Sequence, residues 1–222
     1  MRIAIYDLDK TLTVHATYTP FLIFAAQKAA PMRLLLLPVW IAAMIGYKLG
    51  LTKRDALKAF GMRLMVADMP VNKLDILAQD FARHHIKRSG FLPGALRLLE
   101  EDRAAGAKVI MATAAFDFYA RYFAAALHIE TVIGSHWDGK GISGGNCYGV
   151  RKKARFVQWF EEQGFEEQQG FEPEQIYIRF VSDSFADAPL LDYADEAIFN
   201  TASASAKARA EAKGWRVCDL RH

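Results

Sequence analysis

The chain has 222 residues, 52% of them hydrophobic and 24% charged, with a net charge of only +3. That balance describes a globular chain with room for one full core and a sizeable insertion, and it excludes disordered or collagen-like classes. No dense Lys/Arg stripe carries interleaved aromatics, so nucleic acid is not an expected partner. The two cysteines, Cys147 and Cys218, have no C-x-x-C spacing. They support neither a zinc site nor a disulfide framework and suit a reducing compartment.

The first residues run straight into a strand, with no basic segment followed by an apolar one, so no signal peptide is expected. The short apolar run Ile3 to Tyr6 has the length and β-rich character of a buried strand. It ends in Asp7, Asp9 and Thr11 at alternate positions, which point the same way in an extended or gently curling loop. Two carboxylates side by side repel and are costly to desolvate, so a cation or a reaction is expected to use them. A solvated Asp-x-Asp turn is the plainer alternative.

Residues 14 to about 90 show helical periods and almost no strand signal. Phe21, Phe24 and Ala25 share one helix face. Met32 to Leu49 is apolar nearly all round and is broken only by Pro38, which should kink it or split it in two. Its uncharged part, Leu34 to Tyr47, is about 14 residues, short of the ~20 needed to span a bilayer. It reads first as part of a packed helical bundle, and alternatively as a greasy face for a lipid phosphate or membrane surface, flanked by Arg33 and Lys48. Thr52 with Asp55, and Asn72 with Asp75, look like capping boxes. The first leads Leu57, Phe60 and Leu64; the second leads Leu74, Leu77, Ala78 and Phe81.

From Gly90 the grammar alternates helix and strand. Pro93 opens a helix that Gly106 closes. Lys108 to Ala112 is a strand ending at Thr113, expected at the start of the helix Phe116 to Leu127. A strand, Thr131 to Ile133, precedes a glycine-rich hairpin or flap, Asp138 to Gly149. Arg151 to Gln163 is an amphipathic helix. Ile176 to Val181, Glu196 to Phe199 and Trp215 to Cys218 are strands, with a helix from Ser203 to Lys213 before the last. Glu161 to Gln175 nearly repeats itself and reads as a functionally silent surface loop. The alternation implies an α/β fold, a doubly wound and mostly parallel sheet, with ligands beyond the carboxyl ends of the strands.

Three further features stand at such positions: Thr113, Lys152 at a helix start, and SDSFADAPLL, which supplies Ser182, Asp183 and Asp187. Singly each is weak, since a Thr can cap a helix and a Lys can be solvated. Jointly, Asp7, Asp9 and Asp183 would face a lysine and two hydroxyls. Such oxygen-only ligands select a hard divalent cation, best Mg2+. Cation and lysine together suit phosphoryl transfer, with a carboxylate as nucleophile.

DLDKTLT, the strand-ending Thr113, Lys152 and SDSFADAPLL resemble the four motifs of the haloacid dehalogenase (HAD) superfamily, most closely its subfamily IB, the phosphoserine-phosphatase-like hydrolases. WDGKGISGGNCYGVRKKARF and the tail FNTASASAKARAEAKGWRV are similar to that branch as well. The resemblance implies a HAD-like Rossmannoid core, residues 1–13 and 90–222, and an all-helical C1 cap, residues 14–89. It implies Asp7 as nucleophile and Asp9 as general acid and base. Thr11 fixes the loop and, with Thr113, Ala114 and Lys152, takes the substrate phosphate. Asp7, Asp183 and Asp9, the last through its backbone carbonyl, hold Mg2+, while Asp187 and Ser182 support Lys152 or a metal-bound water. Relatives often carry Ser-Ala-Ser-Pro where this chain has Thr113-Ala114-Ala115-Phe116, one hydroxyl fewer. Lys152 is preferred over Lys153 because it stands three after Gly149 and four before Phe156.

The expected activity is a Mg2+-dependent phosphomonoesterase acting through an aspartyl-phosphate on a small phosphorylated metabolite such as a phosphoserine-like compound. The alternative is a lipid phosphate phosphatase, phosphatidylglycerophosphate-like, using its apolar cap at the membrane surface. The protein is expected in the cytoplasm, or at the inner face of the membrane where the cap makes peripheral contact. Carbon–halogen hydrolysis is disfavoured by Asp9, and a purely membrane- or partner-binding role by the retention of every motif acid. His15, where the helical stretch begins, could touch substrate but reads first as a hinge or surface histidine, and His84 and His85 read as structural. Among the cap's cations Arg33, Lys48, Arg54 and Arg63, none can be singled out for substrate.

Overall fold

Strand β1 (Arg2–Tyr6) is the axis on which the other elements are hung. In the computed structural model, which describes residues 1–165 and 175–222, it pairs in parallel with β2 (Lys108–Phe116) on one side and β5 (Tyr177–Ser182) on the other. Strands β3 (Thr131–Trp137), β6 (Glu196–Asn200) and β7 (Arg216–Cys218) extend the parallel sheet outward. A two-residue strand, β4 (Ile142–Ser143), turns back antiparallel on β3 as the expected hairpin, giving the order β4-β3-β2-β1-β5-β6-β7.

Because β1 is covered on both faces, its apolar run is continuous rather than alternating. Its side chains still divide by parity. Ile3 and Ile5 join Ile110, Phe156, Phe180, Phe199 and Trp215 in one apolar cluster. Ala4 and Tyr6 join Met111, Phe116, Tyr119 and Phe123 in another. The first cluster is covered by α7 (Val150–Glu162), α8 (Ala188–Leu191) and α9 (Ala204–Glu211); the second by α5 (Pro93–Ala104) and α6 (Asp117–Ala126).

Residues 14–89 carry α1 (Tyr18–Ala29), a 3-10 turn (Pro31–Leu36), α2 (Leu37–Lys48), α3 (Arg54–Met65) and α4 (Val71–Ser89). The chain enters and leaves this insert at one place: Thr13 bridges to Phe91, and Leu92 N–H donates to the Leu12 carbonyl at 2.8 Å. The insert shares the second apolar cluster instead of building its own, through Phe21, Trp40, Met62 and Phe81. Phe21 stacks on Tyr119 with ring centroids 5.0 Å apart, and Phe81 meets Phe21, Tyr119 and Phe123 edge-on. Gly61 is the one residue that fits where α1, α2 and α3 meet. A Cβ there would stand 2.6 to 2.8 Å from Tyr18, Leu22 and Trp40.

Several local expectations are corrected. Neither capping box forms: the N-cap positions are Lys53 and Pro70 rather than Thr52 and Asn72, and the acids meet tertiary partners instead. Asp55 accepts from Arg151 at 2.8 Å, and Asp75 accepts from Arg121 and Tyr122 of α6. The buried face of α3 is Lys58, Ala59, Met62 and Met65, with Leu57, Phe60 and Leu64 only partly covered. Strand β2 runs through Thr113 to Phe116, so Thr113 does not open a helix; α6 begins at Asp117. Pro38 does divide its segment, falling in the first turn of α2, where a missing N–H costs nothing. That segment joins the bundle by one face only: Trp40 is buried and Leu34, Leu37 and Met44 are partly covered, while Met32, Leu35, Ile41 and Ile45 stay exposed. The near-duplicated stretch Glu161 to Gln175 lies largely outside the described residues.

Candidate active site

The carboxyl ends of β1, β2 and β5 meet at a cavity of about 330 Å3, lined by Asp7, Asp9, Thr113, Ala114, Lys152, Asp183 and Asp187, with Lys10, Arg54 and Tyr148 at its rim. Parallel pairing with β1 at the centre aligns these ends, so residues 7, 113 and 183 come together although far apart along the chain. Asp7 N–H donates to the Val181 carbonyl at 3.0 Å, fixing the first acid against β5. Lys10 follows in the left-handed region, φ 57°, a strained conformation for a side-chain-bearing residue and one concentrated at functional loops. Asn200 holds that turn by donating to the Lys10 carbonyl at 2.8 Å.

Lys152 decides the choice between the paired lysines. It is 1% exposed, and its Nζ donates to Asp7 Oδ1 at 2.7 Å and to Asp187 Oδ2 at 2.6 Å. Lys153 instead lies over the Tyr193 ring. Burial opposes the charge on Lys152, but the two carboxylates outweigh it and hold the pKa above the ordinary lysine value. Gly149 caps the helix that presents Lys152, at φ 59°. Ser182 donates to Asp187 Oδ2 at 2.8 Å, so Asp187 is braced from two sides, while its Oδ1 is buried without a partner.

Burial pushes the Asp7 carboxyl up to about 7; Lys152 opposes this, and Asp187, Asp183 and Asp9 add to it. Burial likewise raises Asp183 to about 6, against the pull of Lys10. Asp9 is turned the other way: its Oδ1 accepts from Thr17 N–H at 2.8 Å and Thr17 Oγ1 at 2.7 Å, tying it to the start of the insert. The residues fit a hard cation. Asp7 and Asp183 line the same cavity, where burial raises both carboxyls, and Asp187 Oδ1 is a spare buried acceptor. Thr17 engages Asp9 Oδ1 alone, which leaves Asp9 Oδ2 and the backbone carbonyl to the cavity. Among the described residues no group of three acid, His or Cys side chains is arranged as a metal site.

Thr113 Oγ1 accepts from Ala115 N–H at 3.0 Å and remains in the cavity wall. Thr11 is not brought to it. Its hydroxyl is buried inside the loop without a partner, so a direct phosphate contact gives way to a place within the turn. His15, His84 and His85 line a separate cavity of about 590 Å3 between α1 and α4.

One site residue escaped the sequence reading. Lys58, on α3, is buried; its Nζ donates to the Ala114 carbonyl and to Asn146 Oδ1 at 3.0 Å and lies 4.1 Å from the Phe116 ring centre. Burial and neighbouring Arg54 lower its pKa to about 7. The four-residue spacing of Arg54 and Lys58 on one helix face was the available signal. Both line a second, mostly apolar cavity of about 290 Å3, with Tyr18, Trp40, Met44, Tyr47 and Leu57, which reaches Asp9 and Ala114.

The chain is 28% identical over 199 residues to Protein CicA of Caulobacter vibrioides, an alignment covering 86% of this chain and 82% of that one. A protein of unknown function from Bordetella pertussis Tohama I matches with a TM-score of 0.83 and 26% identity, over 99% of this chain and 98% of that one. A substrate-bound phosphoserine phosphatase shares the fold, with a TM-score of 0.59 at 17% identity over 99% of this chain and 94% of that one. The family model of haloacid dehalogenase-like hydrolases matches residues 4–192. The chain belongs to that family.

Proposed function

We propose that the protein is a Mg2+-dependent phosphomonoesterase that works through a phosphorylated Asp7. The observation that carries this reading is the buried ion-pair set Asp7–Lys152–Asp187 at the end of β1, with Asp183 in the same cavity. Asp7 Oδ attacks the phosphorus while the ester P–O bond breaks, and Asp9 gives its proton to the leaving oxygen. Water then attacks the phosphorus of the acyl phosphate; Asp9 takes the water's proton, and Asp7 and inorganic phosphate are released. Lys152 and the Thr113–Ala114 segment hold the phosphoryl oxygens. Asp7, Asp183 and the Asp9 carbonyl would hold Mg2+, which supplies positive charge where the transferred group accumulates negative charge.

Two substrate classes remain open to this chemistry. The relation to phosphoserine phosphatases in fold supports a small phosphorylated metabolite. The apolar cavity between Tyr18, Trp40, Met44 and Leu57 favours the second, a phosphomonoester with a lipid tail, for which contact with the inner membrane face is the fitting location. The full chain should hydrolyse p-nitrophenyl phosphate only when Mg2+ is present. Asp7→Asn should abolish turnover and Asp9→Asn reduce it by roughly 10^2- to 10^4-fold. Metal-independent or absent turnover over a panel of phosphate esters refutes the assignment.

A further inference from the structure

The 3-10 turn and α2 have no polar face. Met32, Leu35, Ile41, Ile45, Leu49 and Leu51 are 50% to 76% exposed, six of the eleven large exposed hydrophobic side chains among the described residues. Soluble monomers rarely leave so continuous an apolar strip in water without a use for it. The strip is also one-signed. Between Lys10 and Arg54 there is no Asp or Glu, and the charged residues within it are Lys28, Arg33, Lys48 and Lys53. The other side of α2 is spoken for: Trp40 is buried, and Met44 and Tyr47 line the apolar cavity that reaches Asp9.

We propose that this strip docks on an anionic lipid bilayer, with α2 lying in the plane of the interface. Ile41 and Ile45 then sit among the acyl chains, and the exposed Lys28, Lys48 and Lys53 stand at the headgroups, while Arg33 is held by the Arg63 and Leu64 carbonyls. The same helix would lead a lipid-tailed phosphomonoester along its inner face toward Asp7; that part alone rests on the second substrate reading above. Pro31–Lys48 is long and apolar enough by length and composition to cross a membrane. Crossing would pull Trp40, Met44 and Tyr47 away from the cavity and the core, whereas lying flat leaves them in place. A second copy of the chain is the poorer occupant, because pairing the strip with itself would face one cationic set with another.

The test uses the full chain with Mg2+ and sedimented vesicles. Vesicles of phosphatidylglycerol and phosphatidylcholine should bring the protein down, and pure phosphatidylcholine should do so at least tenfold less. Leu35→Gln/Ile41→Gln/Ile45→Gln, all outside both site cavities, should weaken binding at least tenfold while melting normally and keeping p-nitrophenyl phosphate turnover. Lys28→Gln/Lys53→Gln should lower binding to the anionic vesicles and flatten its salt dependence. Asp7→Asn should bind as the wild type does, so a failed phosphatase assay and a failed docking assay are told apart. Wild-type protein left in the supernatant, undiminished binding by the triple glutamine variant, or a wild-type dimer that this variant dissociates would each overturn the proposal.

Discussion

At the scale of single residues the site is a concentration of like charge held in place by one lysine. Asp7 and Asp187 each meet Lys152, and removing that ammonium would strand both carboxylates in the interior. The raised pKa values of Asp7, about 7, and Asp183, about 6, carry a consequence for stability. Unfolded, both lose their protons near 3.9. Folded and free of metal, they keep them to higher pH, so the native state binds the extra protons between about pH 4 and 7. Their contribution to stability is therefore full below pH 4 and is lost as the pH rises through 6 to 7. Each group costs on the order of 1 kcal/mol per pH unit across the window, or roughly 2–4 °C in Tm. Thermal melts of metal-free protein should accordingly fall from pH 5 to pH 8. Mg2+ should restore the loss at pH 8 and do little at pH 5, where protons already occupy the acids; a Tm that climbs over that range without metal contradicts this account. Lys152 was legible in the sequence by its spacing from Gly149 and Phe156. Lys58 was legible only as a cation one turn from Arg54; its burial was not, since a lysine on a helix is ordinarily a surface residue and only tertiary packing shows it buried.

At the scale of elements, the strands were the most legible part, because short apolar runs bounded by turn residues have few other ways to be buried. Helix caps were least legible. The starts at Pro93, Asp117, Val150 and Ala204 fall within a residue of expectation, but α3 and α4 are capped at Lys53 and Pro70, and the pairing of Asp55 with Arg151 and of Asp75 with Arg121 leaves no local trace. What binds the insert to the body is aromatic. Phe81 meets Tyr119 and Phe123 of the body with centroid separations of 5.8 and 5.9 Å, and Phe21 stacks on Tyr119 at 5.0 Å. Phe81→Ala should cost about 3–5 kcal/mol, read by urea denaturation. Asp75→Ala, which breaks a half-exposed pair with Arg121, should cost no more than about 1 kcal/mol. Equal costs would mean that the seam is held by charge rather than packing.

At the scale of the whole molecule, insert and body close over the chemistry at three polar points: Thr17 on Asp9, Asp55 on Arg151, and Lys58 on Ala114 and Asn146. The last also pins the glycine-rich hairpin, since Asn146 and Ser135 bond to each other at 2.7 Å. Lys58→Met removes both contacts. Losing a hydrogen bond from a charged donor is worth about 1.5–3 kcal/mol, so amide exchange in residues 142–149 should speed up by tenfold or more, read by mass spectrometry; unchanged exchange would show that the hairpin stands without the lysine. The outline of this arrangement, a helical stretch set between the first strand and the rest of the sheet, could be read from periodicity alone. The exposure of α2 could not, because apolar composition is the same for a core helix and for a surface left bare. The stitch between Thr13 and Phe91 has a further meaning. Seventy-odd residues depart from and return to a single seam, so their length and outer shape can vary without breaking a strand. What cannot vary is the inner face, because the body completes its own interior with Phe21 and Phe81 and steadies Asp9 with Thr17.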